Sequence, residues 1–278
     1  VPELDGVRDL HSTAYFSYLL RKDGTVHVWG KHKHSRLGDV SAPRPLPSPV
    51  RVKQLAASGE VVSMLTESGE AWALVDAFVS PDPGEAGEIV SGAPELLRTN
   101  VAALSSPWGT SLLAMSGEPL VRAGPDWVTV PGVSRAPFIA DGVSTSCAPV
   151  ARAIECWGSD GKARFTLHAS SEVVGLAVSA GNVYAVGADG HVEVSWSSTT
   201  PRQLAPIAGV TDVVELSAGA GTLAQPLCAR FRDKTIGCWA VGEARRVGSG
   251  TPGQRLEPAL LRRNEDASQP NRSPPENH

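Results

Sequence analysis

The sequence predicts an all-β chain folded as a single β-propeller with six recognisable blades. Three observations lead there. The 278 residues carry 28 Gly and 22 Pro, punctuation too dense for long helices and suited to short strands joined by turns. Trp, with 7 residues, outnumbers Phe with 5 and Tyr with 3, as expected when one structural position recurs along a chain. Most decisively, a strand-turn-strand pattern returns every 36 to 49 residues, the period of one propeller blade. Hydrophobic residues make up 41% of the chain, enough for a sizeable core, and a β-sandwich would not require the fixed spacing described next.

The first unit reads Val7-Arg-Asp-Leu10, an apolar run Tyr18-Leu19-Leu20, a turn Lys22-Asp23-Gly24, then Thr25-Val26-His27-Val28-Trp29-Gly30. Leu10 and Gly24 stand 14 residues apart, and the same offset links Leu55 to Gly69 and Leu176 to Gly190; Leu104 and Gly117 differ by one residue. Two less regular units run from Phe138-Ile139-Ala140 to Trp157-Gly158 and from Val213-Val214-Glu215-Leu216 to Cys238-Trp239. First-strand anchors at 10, 55, 104, 140, 176 and 216 mark six repeats. Each reads as two or three strands with a turn, usually glycine-bearing, before the last. Val26 and Val28 alternate with Thr25 and His27, placing the valines on one face. Leu10, Leu55, Leu104, Leu176 and Leu216, with Trp29, Trp157 and Trp239, form the expected repeat core, the three Trp filling the space between blades.

Gly24-Thr-Val-His-Val-Trp29-Gly30-Lys-His-Lys-His-Ser-Arg-Leu37-Gly38-Asp39 resembles the signature of the regulator of chromosome condensation repeat family. His32 stands where that signature has Asn, Ser35 replaces its first Gly and Arg36 its Gln. The resemblance implies a β-propeller, usually of seven blades. With six units legible, a seventh would be a degenerate blade in a connector such as 76–100. Family members include exchange factors for small GTPases and secreted inhibitors or scaffolds, so fold alone does not choose among them.

All four cysteines fall in two units. Cys147 with Cys156 and Cys228 with Cys238 lie 9 and 10 residues apart, across a hairpin, where facing strand positions come within disulfide reach. Free thiols or a zinc site are the alternatives; zinc sites commonly show C-x₂₋₄-C spacing, which is absent. Bridges imply an oxidising compartment, and this pairing resembles extracytoplasmic bacterial members of the family. The 19 Arg against 6 Lys suits a GC-rich genome.

Other motifs reduce to structure. Gly219-Ala-Gly221-Thr-Leu-Ala224 matches a dinucleotide fingerprint, but leads into another strand instead of a helix. His32 and His34 alternate with Lys31 and Lys33, whose charge disfavours a metal cation, so a solvated loop is expected and no metal or cofactor. No G-x-S-x-G or H-E-x-x-H occurs, and no carboxylate pair stands out. A net charge of −4 argues against nucleic acid held by bulk charge, and no apolar run reaches the ~18 residues of a transmembrane helix.

Residue 1 is Val and not Met, which leaves room for a signal peptide or other processed segment ahead of it, and the sequence does not say which. Residues 1–262 are expected to form the propeller and 263–278, polar and Pro-bearing, a flexible tail. Ser80–Glu88 reads as a blade-connecting loop and Ser41–Pro49 as an extended outer strand or rim. The functional expectation is a non-catalytic scaffold that binds a protein partner outside the cytoplasm, at the cell surface, in the periplasm or secreted. The alternatives are a hydrolase or lyase using the central channel, and a secreted enzyme inhibitor.

Overall fold

The computed structural model describes residues 6–12, 16–31, 39–46, 48, 51–58, 61–75, 94–105, 111–123, 126–142, 144–162, 164–179, 181–197, 202–218, 226–240 and 259–261. They form six four-stranded antiparallel sheets in propeller arrangement, without a helix among them. Blade 1 holds β1 (Val7–Ser12), β2 (Phe16–Arg21), β3 (Val26–Lys31) and β4 (Asp39–Pro45). Blade 2 holds β5 (Val52–Ser58), β6 (Val61–Thr66), β7 (Ala71–Val75) and β8 (Glu95–Arg98). Blade 3 holds β9 (Val101–Leu104), β10 (Ser111–Ala114), β11 (Pro119–Ala123) and β12 (Asp126–Thr129). Blade 4 holds β13 (Ala140–Asp141), β14 (Thr145–Val150), β15 (Ala153–Gly158) and β16 (Arg164–His168). Blade 5 holds β17 (Val173–Ser179), β18 (Asn182–Gly187), β19 (Val192–Ser195) and β20 (Ala205–Pro206). Blade 6 holds β21 (Val213–Ala218), β22 (Pro226–Phe231), β23 (Ile236–Ala240) and β24 (Ala259–Leu261).

Every blade is a meander in chain order, and first strands of neighbouring blades touch, β1 with β5, β5 with β9, β13 with β17 and β17 with β21. The expected two or three strands per unit are therefore four. Ser41–Pro45 lies in the outer strand β4, as its composition suggested. The stretch 80–88 lies outside the described residues, but β7 and β8 flank it, so it connects strands of one blade and not two blades. Nor does 76–100 hold a degenerate seventh blade in its described part, because β8 pairs with β7.

The central hairpin explains the Gly offset. In blades 1, 2, 3 and 5 the turn is four residues long and its third residue, Gly24, Gly69, Gly117 or Gly190, has φ of +80° to +84°. A type I turn closed by a left-handed residue joins antiparallel strands with their natural twist. The carbonyl of that glycine then accepts the N–H that opens the next blade. Val52, Val101, Ala136 and Val213 donate to Gly24, Gly69, Gly117 and Gly190 at 3.2, 2.9, 2.9 and 3.1 Å. A Cβ on Gly117 would come 2.8 Å from the Arg135 Cα, so glycine is demanded both by backbone angle and by the neighbour's approach. Blade 4 makes the same joint from a two-residue turn, Val173 N–H donating to the Ala151 carbonyl at 3.2 Å.

Five apolar clusters fill the five successive contacts between blades. Tyr18, Leu20, Val26 and Val28 of blade 1 meet Val52, Leu55, Val62 and Met64 of blade 2. Leu104 faces blade 2, while Leu176 and Leu216, partly buried, face blades 4 and 5. Trp157 is fully buried between blades 3 and 4 among Leu113, Val121 and Ile139. Polar links supplement them: the Gln54 side chain pairs with both the N–H and C=O of Leu104 at 3.0 Å, and the buried Ser111 and Ser146 hydroxyls bond at 2.9 Å.

Three of the central hairpin turns carry an Asp cap. Thr25 donates its N–H and O–H to Asp23, Thr235 does the same to Asp233, and the His191 N–H bonds Asp189. These bonds hold all three carboxyls below the usual carboxylate value. Their stabilisation is present above the unfolded value near 3.8 and is lost as pH falls through the lower folded value. Melting temperature should therefore fall as pH drops through and below the carboxylate range, and Asp23→Asn should flatten that slope. Gly117→Ala should cost at least about 1–2 kcal/mol for the left-handed backbone plus the shift of Arg135. Gly209→Ala, at φ +76° with nothing within 4 Å, should cost the backbone strain alone. Trp157→Ala should cost about 3–5 kcal/mol; urea titrations check all three.

Candidate functional site

The meander gives the molecule two unlike ends. One carries the central hairpin turns, four residues long at 22–25, 67–70, 115–118, 188–191 and 232–235 and shortened only at 151–152. The other carries the connections from first to second and from third to fourth strands. These run from two residues, as at 59–60 and 124–125, to nineteen at 76–94 and eighteen at 241–258. The central turns are constrained by the joints between blades and repeat, while the connections between blades at the same end run from two residues at 99–100 to ten at 130–139. The loop end has no such constraint, and each blade presents a different loop there. Variable loops on a rigid scaffold are where recognition resides.

At that loop end, Trp196 follows β19 and is 37% exposed. Its ring meets the Tyr184 ring edge-on at 6.2 Å. Burial pushes the Tyr184 phenol up to about 12, so it stays neutral. Beside them Asn182 accepts the Ser197 N–H at 2.8 Å, Arg202 donates to the Gly181 carbonyl at 3.1 Å, and its guanidinium lies 4.3 Å from the Phe165 ring centroid. An aromatic held by neighbours but left open to solvent is the residue type that anchors protein interfaces. Sequence reasoning misses Trp196 because it falls one residue past a strand, outside the repeat. The second arginine contact, Arg164 with Glu155 and the Pro131 carbonyl, ties blade 4 to blade 3.

The cysteine pairs occupy one repeated position. Measured from the turn, Cys147–Cys156 and Cys228–Cys238 face each other where blades 1, 2, 3 and 5 place Tyr18–Val28, Ser63–Ala73, Ser111–Val121 and Tyr184–Val194. Each is a bridge, with Cα atoms 4.1 Å apart. In the four glycine-turn blades this position points at the following blade, and Cys147–Cys156 likewise faces blade 5. The repeat-core residues divide. Leu55 and Leu104 are buried, Leu176 and Leu216 partly so, and Trp157 fully. Trp29 is half-buried, and Trp239 falls on β23 with its side chain outside the described residues. Leu10 departs from the expected core: it is 52% exposed, because its strand opens the first blade and no described blade precedes it.

Groups suited to catalysis are not drawn together. Asp23, Asp189 and Asp233, whose acidity is shifted, sit on separate hairpin turns. Burial opposes, but His11 and the Leu10 N–H outweigh, so that Asp9 also lies below the usual value beside a His11 nitrogen at 3.0 Å. Among the described residues no three His, Cys, Asp or Glu side chains gather as a metal site, and no helix is long and apolar enough to cross a membrane. His32, His34, the 219–225 connection and 263–278 lie outside the described residues; that connection joins β21 to its antiparallel neighbour β22.

The bridges differ in surroundings. Cys147 and Cys156 are fully buried between blades 4 and 5, whereas Cys228 is partly exposed on the far side of blade 6. Access governs exchange, so graded dithiothreitol followed by alkylation and peptide mapping should open Cys228–Cys238 first. Equal or reversed reduction would contradict that ordering.

The sequence matches no protein-family model and no curated protein. Solved structures do match. Prp20p from Saccharomyces cerevisiae, described with its binding properties to Gsp1p and histones, is 16% identical, with a TM-score of 0.64 over 85% of this chain and 72% of that one. Yeast RCC1 (Prp20) bound to Kap60 gives 16% identity and 0.63, over 85% and 70%. The computationally designed Ika8 protein gives 15% and 0.53, over 84% and 71%. These likenesses show the β-propeller fold.

Proposed function

From that fold we propose that the chain is a non-catalytic platform that binds one protein partner through its loop end, outside the cytoplasm of a bacterial cell. The observation that carries this reading is the contrast between the two ends. Five of six hairpin turns share one length, while the opposite connections range from two residues to nineteen. A repeated small ligand would be matched by repeated loops; two connections per blade, with no two blades alike in their pair of lengths, suit one irregular macromolecular surface. Trp196, stacked edge-on with Tyr184 and open to solvent, supplies an anchor of the kind protein interfaces use.

Two further observations support parts of the reading. The similar yeast propellers are described with protein partners, Gsp1p, histones and Kap60, which makes protein recognition an activity this architecture can carry. Two bridges and no free cysteine suit an oxidising compartment.

Affinity capture from the source cells tests it, using the full chain and two variants as bait. A stoichiometric partner should be retained by wild type and by the turn-end variant Met115→Glu, and be lost or weakened at least about tenfold by Trp196→Ala combined with a shortened 76–94 connection. Retention by the loop-end variant, or loss with Met115→Glu alone, would overturn the assignment of the surface. Labelling of intact cells with a membrane-impermeant biotin reagent checks the compartment.

A further inference from the structure

The loop end of blade 5 holds a cation without an anion. Arg202 lies in the connection from β19 to β20 and is partly buried. Two contacts fix its guanidinium: an N–H donates to the Gly181 carbonyl at 3.1 Å, and its carbon lies 4.3 Å from the centre of the Phe165 ring. A guanidinium carries more N–H donors than these contacts use. Among the described residues no carboxylate pairs with it. Withdrawing such a group from water costs free energy that a facing carboxylate ordinarily offsets. Arg164 follows that rule, with Glu155 at 3.2 Å. Arg202 is held by a carbonyl and a ring, neither of which is an anion.

Trp196 stands at the same tip. Arg202 bonds Gly181, and a Cβ on Gly181 would come 3.2 Å from the Ser197 Cβ. Ser197 follows Trp196 and ties it to the hairpin through its N–H to Asn182. Tyr184, which the Trp196 ring meets edge-on, belongs to the apolar contact between blades 5 and 6. Phe165 belongs to the contact between blades 4 and 5. The 37% exposed indole and the unpaired guanidinium therefore lie on either side of the tip of one blade.

Resting on the loop-end reading of the preceding subsection, we propose that this tip recognises an acidic segment of the protein partner. Arg202 takes a carboxylate of the segment, and an apolar side chain beside that carboxylate covers Trp196. A carboxylate matches the planar fork of a guanidinium with two parallel N–H···O bonds. An arginine already held by a ring and a carbonyl loses little further freedom in making them. A neutral or basic segment would cover Arg202 and leave its charge unpaired, which is a cost that selects against it. The net charge of −4 repels an acidic segment only weakly at a distance, because salt screens beyond about 8 Å. Contact at the tip decides.

Random peptides displayed on phage and panned on the full chain supply the probe. Enriched sequences should carry Asp or Glu beside a large apolar residue. The leading peptide, synthesised, should lose at least about tenfold in affinity with Arg202→Gln or Trp196→Ala, and none with Met115→Glu. Arg202→Lys, which keeps the charge and loses the fork, should fall between wild type and Arg202→Gln. Replacing the peptide's acid by its amide should weaken binding to wild type and cost nothing further with Arg202→Gln, the signature of one coupled pair. Arg202→Gln strands no carboxylate, so its melting profile should stay close to wild type. Peptides that need Trp196 but carry no acid, or whose acid acts additively with Arg202→Gln, would overturn the acidic assignment and leave the loop end standing. Peptides indifferent to both loop-end variants would overturn both readings, and a panning that enriches none would overturn this one.

Discussion

One hydrogen bond organises this molecule: the carbonyl of a left-handed turn residue accepting the N–H that opens the next blade. It fixes three things together. The turn must hold a residue that tolerates positive φ, the next strand must begin beside it, and the two sheets must stand at one angle. Apolar side chains can slide against each other, since burial has no direction. The bond removes that freedom, and the cluster behind it then packs in a single register. Gly24, Gly69, Gly117 and Gly190 accept this bond with bond lengths within 0.3 Å of one another. The spacing visible in the sequence arises inside each blade: Leu10, Leu55 and Leu176 pair with Leu19, Met64 and Ala185, and the turn glycine follows at the same remove in all three.

The same register assigns a task to each strand position. Residues facing forward from one blade meet residues facing backward from the next, so a side chain can change only if its partner across the contact accommodates it. Tyr18–Val28 and Tyr184–Val194 fill the forward position with bulk, Ser63–Ala73 leaves it small, and two cysteine pairs lock it covalently. Ser111 shows the compensation directly: its buried hydroxyl finds Ser146 on the blade it faces. A polar group there without such a partner would cost the desolvation of an unmade hydrogen bond.

Legibility in the sequence follows from how many constraints act on each element. The central hairpins, bound by turn, register and two faces of packing, can be recognised from Gly24 or Gly190 alone. Outer strands cannot: β20 is Ala205-Pro206, both exposed, and β12 buries little. An edge strand packs on one neighbour and needs no alternation, so nothing in its residues announces it. For the same reason 80–88 reads as a link between blades although β8 still lies ahead of it. Trp196 escapes because it belongs to no repeat, and Leu10 looks like core because spacing reports a residue's place within its blade but not whether another blade precedes it.

Departures from a repeat therefore carry more functional content than the repeat itself. A position that obeys the pattern is explained by the joint and the packing behind it. Ala151 departs, but a shorter turn accounts for it and the joint survives. Lys234, Ile236 and Leu10 depart where no described blade presses on them, and Arg230 departs with Glu215 as its ion-pair partner. Trp196 departs at the loop end, where no joint constrains the chain. Local rules broken without structural recompense are expected where a protein meets something else. On that argument the hairpin turns are architecture, and the loop end is the surface we propose for recognition.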